Sequence, residues 1–432
     1  MQNGFSRAIR FAAILLSACG TPAKMNYSVS SNGVIHAKTR TDTLLENLLA
    51  RHPVDFKNIL DNRDSFNVQV IYTQIDRDSK NRPSFRDFYL NVNASRYFYP
   101  ASTVKMPVAL LSLERLDQLK GKGVTYNSTI ITESDYSGQT STFNDPTTRD
   151  GRPTIEHYIK KIFLVSDNEA FNRLYEFLGQ EYINKRLHRK GYKEAEILHR
   201  LSISLTEDEN RHTNPVRFFD SSGRELYKQP MKFSRKPFFD RNEFLGLGYF
   251  EGAELKDTPM NFSQKNRMSL ESLHFVLRSI MFPNSVPSRS RFRIPADEYP
   301  MVWKYMSELP HESGYPSIDT SQYHDASNKF LLFGAEKGKK ISPAIRIFNK
   351  IGGAYGFLID VAYIVDFDKK IEFMLSAVIY CNSDEIVNDD KYDYDTIGFP
   401  FMKNLGELIY EYETRRKKKY QPDLSGFSLK YD

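Results

Sequence analysis

Tyr99-Pro100-Ala101-Ser102-Thr103-Val104-Lys105 leads directly into an apolar pattern made by Val104, Ala109, Leu110, Leu113 and Leu116. Apolar residues at spacings of three and four place one face of a helix against a core, so a helix is predicted to open at Pro100-Ala101-Ser102. Ser102 and Lys105 then stand one turn apart on the same face, with hydroxyl and amine in reach of each other. A serine hydroxyl is a weak nucleophile at neutral pH. A lysine whose pKa is lowered by burial or by a neighbouring cation can take its proton. The start of the helix adds free backbone N–H groups where an oxyanion would form. Alone, Ser-x-x-Lys is a weak signal, because such spacings arise by chance in a chain rich in serine and lysine.

Working outward, Val68–Tyr72 and Phe85–Leu90 read as strands of a hairpin around the polar stretch Asp76–Pro83. A helix is expected from Leu44, others over Ile155–Leu164 and Glu169–Leu178, the last ended by Gly179. Further helices are expected at Leu270–Met281, Asp297–Glu308 and Phe399–Tyr412, and strands at Gly356–Val365 and Ile371–Cys381. Strands near both ends with helices between them predict an α/β (α+β) fold. Its N- and C-terminal strands would meet in one antiparallel sheet flanked by a helical subdomain. Residues 203–266 are irregular, polar and aromatic, and read as an insertion or long loop in a domain spanning 44–432.

Two further motifs follow in order. Ser166-Asp167-Asn168 lies between two helical patterns. It reads either as a helix cap ahead of Glu169 or as a second hydroxyl for proton relay with an amide for a substrate carbonyl. Lys350-Ile351-Gly352-Gly353 precedes the strand at Gly356. It is either a turn with a solvated lysine or a cation beside glycines that let a substrate backbone approach a strand edge.

Together, Ser-x-x-Lys, Ser-Asp-Asn and Lys-x-Gly resemble the motif set of class A β-lactamases and penicillin-binding proteins. The contexts agree: Thr154 through Asn168 looks like the helix entering the second motif, and Gly356 through Ala362 like the strand after the third. The resemblance covers most of residues 45–415. It implies Ser102 as acylated nucleophile, Lys105 as its base, and Ser166 and Lys350 as relay to the leaving nitrogen. It further implies Asn168 as ligand of the substrate amide, Gly352 and Gly353 at the substrate edge, and the N–H groups of Ser102 and Gly353 as oxyanion hole.

Two departures stand out. Ile351 replaces a Thr or Ser whose hydroxyl would meet a substrate carboxylate, a charge-assisted hydrogen bond worth roughly 1.5–3 kcal/mol. At the position expected for the deacylating glutamate the chain has Ser202. Glu207 and Glu209 precede Asn210 at nearly the family spacing and are candidates to activate water, or else belong to a solvated acidic loop. The expected activity is β-lactam hydrolysis through acyl-Ser102. The alternatives are a D-alanyl-D-alanine carboxypeptidase or penicillin-binding type, another amide or ester hydrolase, and a catalytically silent binding protein. The substrate would be a small β-lactam or a peptidoglycan peptide.

Composition narrows the rest. The chain has 432 residues, 60 Lys+Arg against 54 Asp+Glu, and a net charge of +6. With no basic domain standing out, nucleic acid is not the expected partner. Two cysteines cannot form a disulfide scaffold, and the histidines show no clustered metal spacing, so neither metal nor cofactor is implied. Arg7 and Arg10 precede the apolar run Phe11–Leu16, which is too short to span a bilayer but suits a secretory signal. Leu16-Ser17-Ala18-Cys19 resembles a bacterial lipobox. It implies a signal peptide over 1–18, a lipidated Cys19 anchoring the chain to a membrane of the cell envelope, and a tether over 19–43. The run Arg415–Lys419 is expected to be a solvated helix end, or else a contact with acidic headgroups.

Overall fold

A computed structural model describes residues 25–31 and 33–431. The chain-terminal strands meet as expected. β1 (Gln69–Arg77) and β2 (Pro83–Leu90) join β3 (Ile345–Ala354), β4 (Phe357–Asp366) and β5 (Ile371–Tyr380) in one sheet of order β3-β4-β5-β1-β2. Every pairing in it is antiparallel. The β1–β2 turn closes on Asp78, whose carboxylate accepts the N–H groups of Lys80 and Arg82 at 2.9 Å each.

Both faces of the sheet are covered, which is why β4 is buried along its whole length. On one face Ile71, Phe348, Ile359, Val361 and Met374 pack with α3 (Lys105–Leu119), α4 (Ile155–Leu164), α5 (Asn168–Leu178), α6 (Gln180–Lys190), α8 (Leu270–Met281) and α9 (Tyr299–Ser307). On the other, Tyr72, Ile347, Ile351 and Phe373 pack with α1 (Thr43–Ala50), α2 (Pro53–Asp61) and α10 (Phe399–Arg415). Alternation along β3 therefore sends Lys350 to the face of Phe348 and Ile351 to the opposite one.

The caps explain the helix starts. Thr154 accepts the His157 N–H ahead of α4, Asp167 that of Ala170 ahead of α5, and Ser269 that of Ser272 ahead of α8. Gly179, at φ +82°, ends α5 where expected.

Three expectations need correction. Residues 203–266 are not irregular: they hold the short α7 (Glu207–Arg211) and several two- to five-residue strands. Val216–Phe219 pairs with Thr129–Thr132, and Gly248–Glu251 pairs with Glu254–Lys256 and, in parallel, with Ile386–Val387. Such strands carry too few alternations to be read from a sequence. The supposed tether is docked from residue 25 onward. Tyr27–Val29 and Ile35–Ala37 form a hairpin, Asn26 N–H donates to Glu271 at 2.7 Å, and Arg40 pairs with Glu271 at 2.9 Å. Lys350 sits within strand β3, not in a turn before one. Arg7, Arg10 and Cys19 lie outside the described residues. Among the described residues no helix is long and apolar enough to cross a membrane.

Candidate active site

Ser102 lies on a tight 3₁₀ turn, Ala101–Val104, and the α-helix proper begins only at Lys105. Ala101, just before the serine, is held at φ +46°, a left-handed conformation costly for a residue with a Cβ. Ser166 (φ +58°), Ser202 (φ +54°) and Tyr355 (φ +53°) are held likewise. Strain of this kind persists where the surroundings enforce it, and Ala101, Ser202 and Tyr355 line one cleft.

Lys105 is fully buried. Its Nζ donates to the Ser166 carbonyl, to Asn168 Oδ1 at 2.6 Å, and lies 3.3 Å from Ser166 Oγ. Burial disfavours the ammonium and pulls its pKa from 10.5 down to about 7, against a smaller opposing pull from the Asp167 carboxylate. A neutral amine has two N–H donors. Its lone pair can accept a proton.

Lys350 reaches the same hydroxyl from the sheet, its Nζ donating to Ser166 Oγ at 2.8 Å and to the Ile351 carbonyl at 3.0 Å. Burial, and then the proximity of Lys105, hold its pKa well below the ordinary lysine range, with Asp360 opposing. Ser166 thus bridges two buried lysines. Asp167 is the helix cap, and the same turn sets Ser166 Oγ between the two amines.

The third motif meets the first through a close approach. A Cβ on Gly352 would stand 2.9 Å from the Pro100 carbonyl and 3.2 Å from Ala101 Cβ, so only glycine lets β3 lie against the nucleophile turn. Ser102, Asn168, Ser202 and Gly353 then line one cleft of about 590 Å³. Ile351 is only 8% exposed in the core on the α10 side of the sheet.

The loop from Leu198 to Asn210 forms another wall. Asn210 Oδ1 accepts the Arg200 N–H at 2.9 Å, and the buried Arg200 guanidinium ties Glu176 at 2.8 Å to the carbonyls of Glu209 and His212. At the loop position expected for an acid, Ser202 Oγ accepts from Asn168 Nδ2 at 2.7 Å. Glu207 is not brought to this cleft. It pairs with Arg211 at 2.9 Å and lines a separate hollow of about 400 Å³ with His199 and Ile203. Glu209 caps its own helix, accepting the Thr206 N–H and the Ser137 hydroxyl at 2.8 Å each.

Sequence reasoning missed three contributors. His199 stacks on Tyr99 with ring planes 1° apart, accepts the Asn266 N–H and is pushed down to about pKa 4 by burial. Lys329 and Asp360 are joined through Asn349, which accepts from Lys329 at 2.6 Å and donates to Asp360 at 2.8 Å behind Lys350. Tyr392, Tyr394 and Asp395 enter the cleft from beyond β5. None of these carries a local motif, and only the tertiary fold assembles them.

The family model described as the β-lactamase enzyme family matches residues 54–226, which include Ser102, Lys105, Ser166 and Asn168. Similar solved structures include a β-lactamase from Sphaerobacter thermophilus, at 10% identity and TM-score 0.45, covering 86% of this chain and 98% of that one. Others are an ancestral class A β-lactamase, at 14% identity and TM-score 0.42 over 84% of this chain and 99% of that one, and a halotolerant bacterial β-lactamase, at 12% and 0.44 over 83% and 99%. No curated protein matches the chain. The stretch 54–226 is thus similar to the β-lactamase enzyme family, and it holds the Ser-x-x-Lys and Ser-Asp-Asn motifs in that order.

Proposed function

We propose that the protein is a serine hydrolase that opens β-lactams through an acyl-Ser102 intermediate. The observation that carries this reading is Lys105, one helical turn after Ser102, fully buried and held by Ser166 and Asn168. Neutral Lys105 takes the Ser102 proton as Oγ attacks the lactam carbonyl. The N–H groups of Ser102 and Gly353 hold the oxyanion. Ser166 passes a proton from Lys105 to the leaving nitrogen, and Lys350 donates a hydrogen bond to Ser166 Oγ during the relay. The second Nδ2 hydrogen of Asn168 meets the substrate's side-chain carbonyl. Water then attacks the ester with Lys105 again as base, since Ser202 occupies the place of a loop carboxylate.

That serine favours a second reading, a penicillin-binding, D-alanyl carboxypeptidase-type enzyme whose acyl-serine persists. A silent binding protein would have no use for two buried lysines on one hydroxyl. Intact-protein mass spectrometry with benzylpenicillin separates the readings. A penicilloyl adduct that forms and clears supports hydrolysis, and a lasting one supports the second. Absence of an adduct on wild type, or its persistence in Ser102→Ala, overturns both. We further propose lipidation at Cys19 and a place in the bacterial cell envelope. Mass analysis of the mature N-terminus tests this, an unmodified chain starting at Met1 being the refuting result.

A further inference from the structure

The cleft that holds Ser102 has a wall the proposed chemistry does not use. It comes from the segment between β5 and α10, with the first residue of α10, and presents Asn388, Asp390, Tyr392, Tyr394, Asp395 and Phe399. The segment is anchored from outside the catalytic fold. Ile386–Val387 pairs with Gly248–Tyr249 of the insertion, and Asn388 Nδ2 donates to the Phe250 carbonyl at 2.9 Å. Its rings are fixed by their hydroxyls. Tyr392 Oη accepts the Asn388 N–H at 2.8 Å, and Tyr394 Oη accepts the Gly356 N–H at 3.0 Å. The two ring centroids are 5.2 Å apart, and Tyr394 lies 6.2 Å from Phe399.

Charge on this wall has one sign. Asp390 and Asp395 are exposed, and neither carboxylate has a hydrogen-bond or ion-pair partner among the described residues. No arginine, lysine or histidine lines the cleft, and Lys391 of the same segment is not part of its lining. Lys105 and Lys350 are buried behind it, where desolvation disfavours their charged forms. Fixed aromatic rings beside unpaired carboxylates attract a cation by quadrupole and charge together. They repel a carboxylate that no cation is placed to receive.

We propose that this wall is an ammonium subsite, and that the substrates of the cleft carry a positively charged amine. The inference rests on the reading of Ser102 as nucleophile and names the substrate class that cleft selects. It also gives the insertion a task, since the insertion's strand holds the selecting wall.

Benzylpenicillin and ampicillin share a nucleus and differ by one α-ammonium group, so they isolate the effect. Calorimetric titration of Ser102→Ala, which cannot be acylated, should show ampicillin binding tighter by about fivefold to thirtyfold at low salt. The preference should shrink at high salt, and fall to near one in the same protein carrying Asp390→Asn and Asp395→Asn. Equal affinities, a preference that survives the double substitution, or no binding of either ligand overturns the subsite. Mass spectrometry of wild type with both drugs keeps the two ideas apart. Adducts without an ammonium preference sink the subsite alone, whereas a preference without adducts sinks the nucleophile assignment alone.

Discussion

Lys105 sets how acylation depends on pH, and the dependence can be worked from its surroundings. Burial lowers its pKa from 10.5 to about 7, a displacement worth about 5 kcal/mol. At pH 7 an ordinary lysine is neutral in about one molecule in 3,000, whereas here about half the molecules hold a ready base. The acylation rate constant of a chromogenic β-lactam, followed by stopped flow, should rise about tenfold per pH unit below the inflection near 7 and level off above it. Asp167→Asn sharpens the test. Asparagine caps a helix as well as aspartate, but it removes the carboxylate that raises the Lys105 pKa, so the inflection should move to lower pH. The same displacement acts on stability. A lysine whose folded pKa lies below its unfolded one leaves the unfolded chain binding more protons between about 7 and 10.5, so this group makes stability rise with pH across that window. Lys105→Met should remove that slope and raise the melting temperature at pH 7 while abolishing acylation. An inflection that stays above pH 9, or one that Asp167→Asn moves upward, would refute the argument.

Gly352→Ala should push β3 off the nucleophile turn, because the added Cβ meets the Pro100 carbonyl at 2.9 Å; a loss of about 1–3 kcal/mol in urea unfolding, with slower acylation, is expected. Arg200→Ala leaves the Glu176 carboxylate in the core with Arg173 as its remaining ion-pair partner and opens the base of the loop. Denaturation should register about 3–5 kcal/mol of destabilisation. Glu207→Gln should leave the deacylation rate within twofold of wild type, since the side chain faces Arg211 and a different hollow. A hundredfold slowing would restore it as the water-activating acid.

What could be read in advance follows from how far each signal reaches along the chain. The α8 pattern, Leu270–Met281, was legible to the residue because both its cap and its apolar face are local. The sheet of terminal strands followed from two apolar runs near each end. Ser102, Lys105, Ser166, Asn168 and Lys350 were each ambiguous alone and became specific only as an ordered set. Strand β3 escaped because Asn349 and Lys350, buried polar residues at 2% exposure each, interrupt its apolar pattern, and their partners Lys329, Asp360 and Ser166 are distant in sequence. Glu207 was misleading for the opposite reason. Its distance from Asn210 nearly fits, but a capping box built by Thr206 and Glu209 turns that stretch into a helix and carries Glu207 outward. Spacing along a chain does not say which way a helix will face.

The strand order has a consequence for how the molecule comes into being. β1 finds its neighbour in β5, where Gln74 stands opposite Phe373 and Val70 opposite Ala377. Tyr72 and Asp76 of the same strand are held by Glu413 and Arg416, more than 300 residues further along the chain. A growing polypeptide therefore cannot seal its central sheet until β5 and α10 have been synthesised. Closing a loop of that length delays the rewarding contacts, which makes assembly slow. Until that moment the β1–β2 hairpin offers an open edge and two oily faces to whatever it meets. A chain cut before α10 would keep the β5 pairing and still leave the Tyr72 face of that hairpin uncovered.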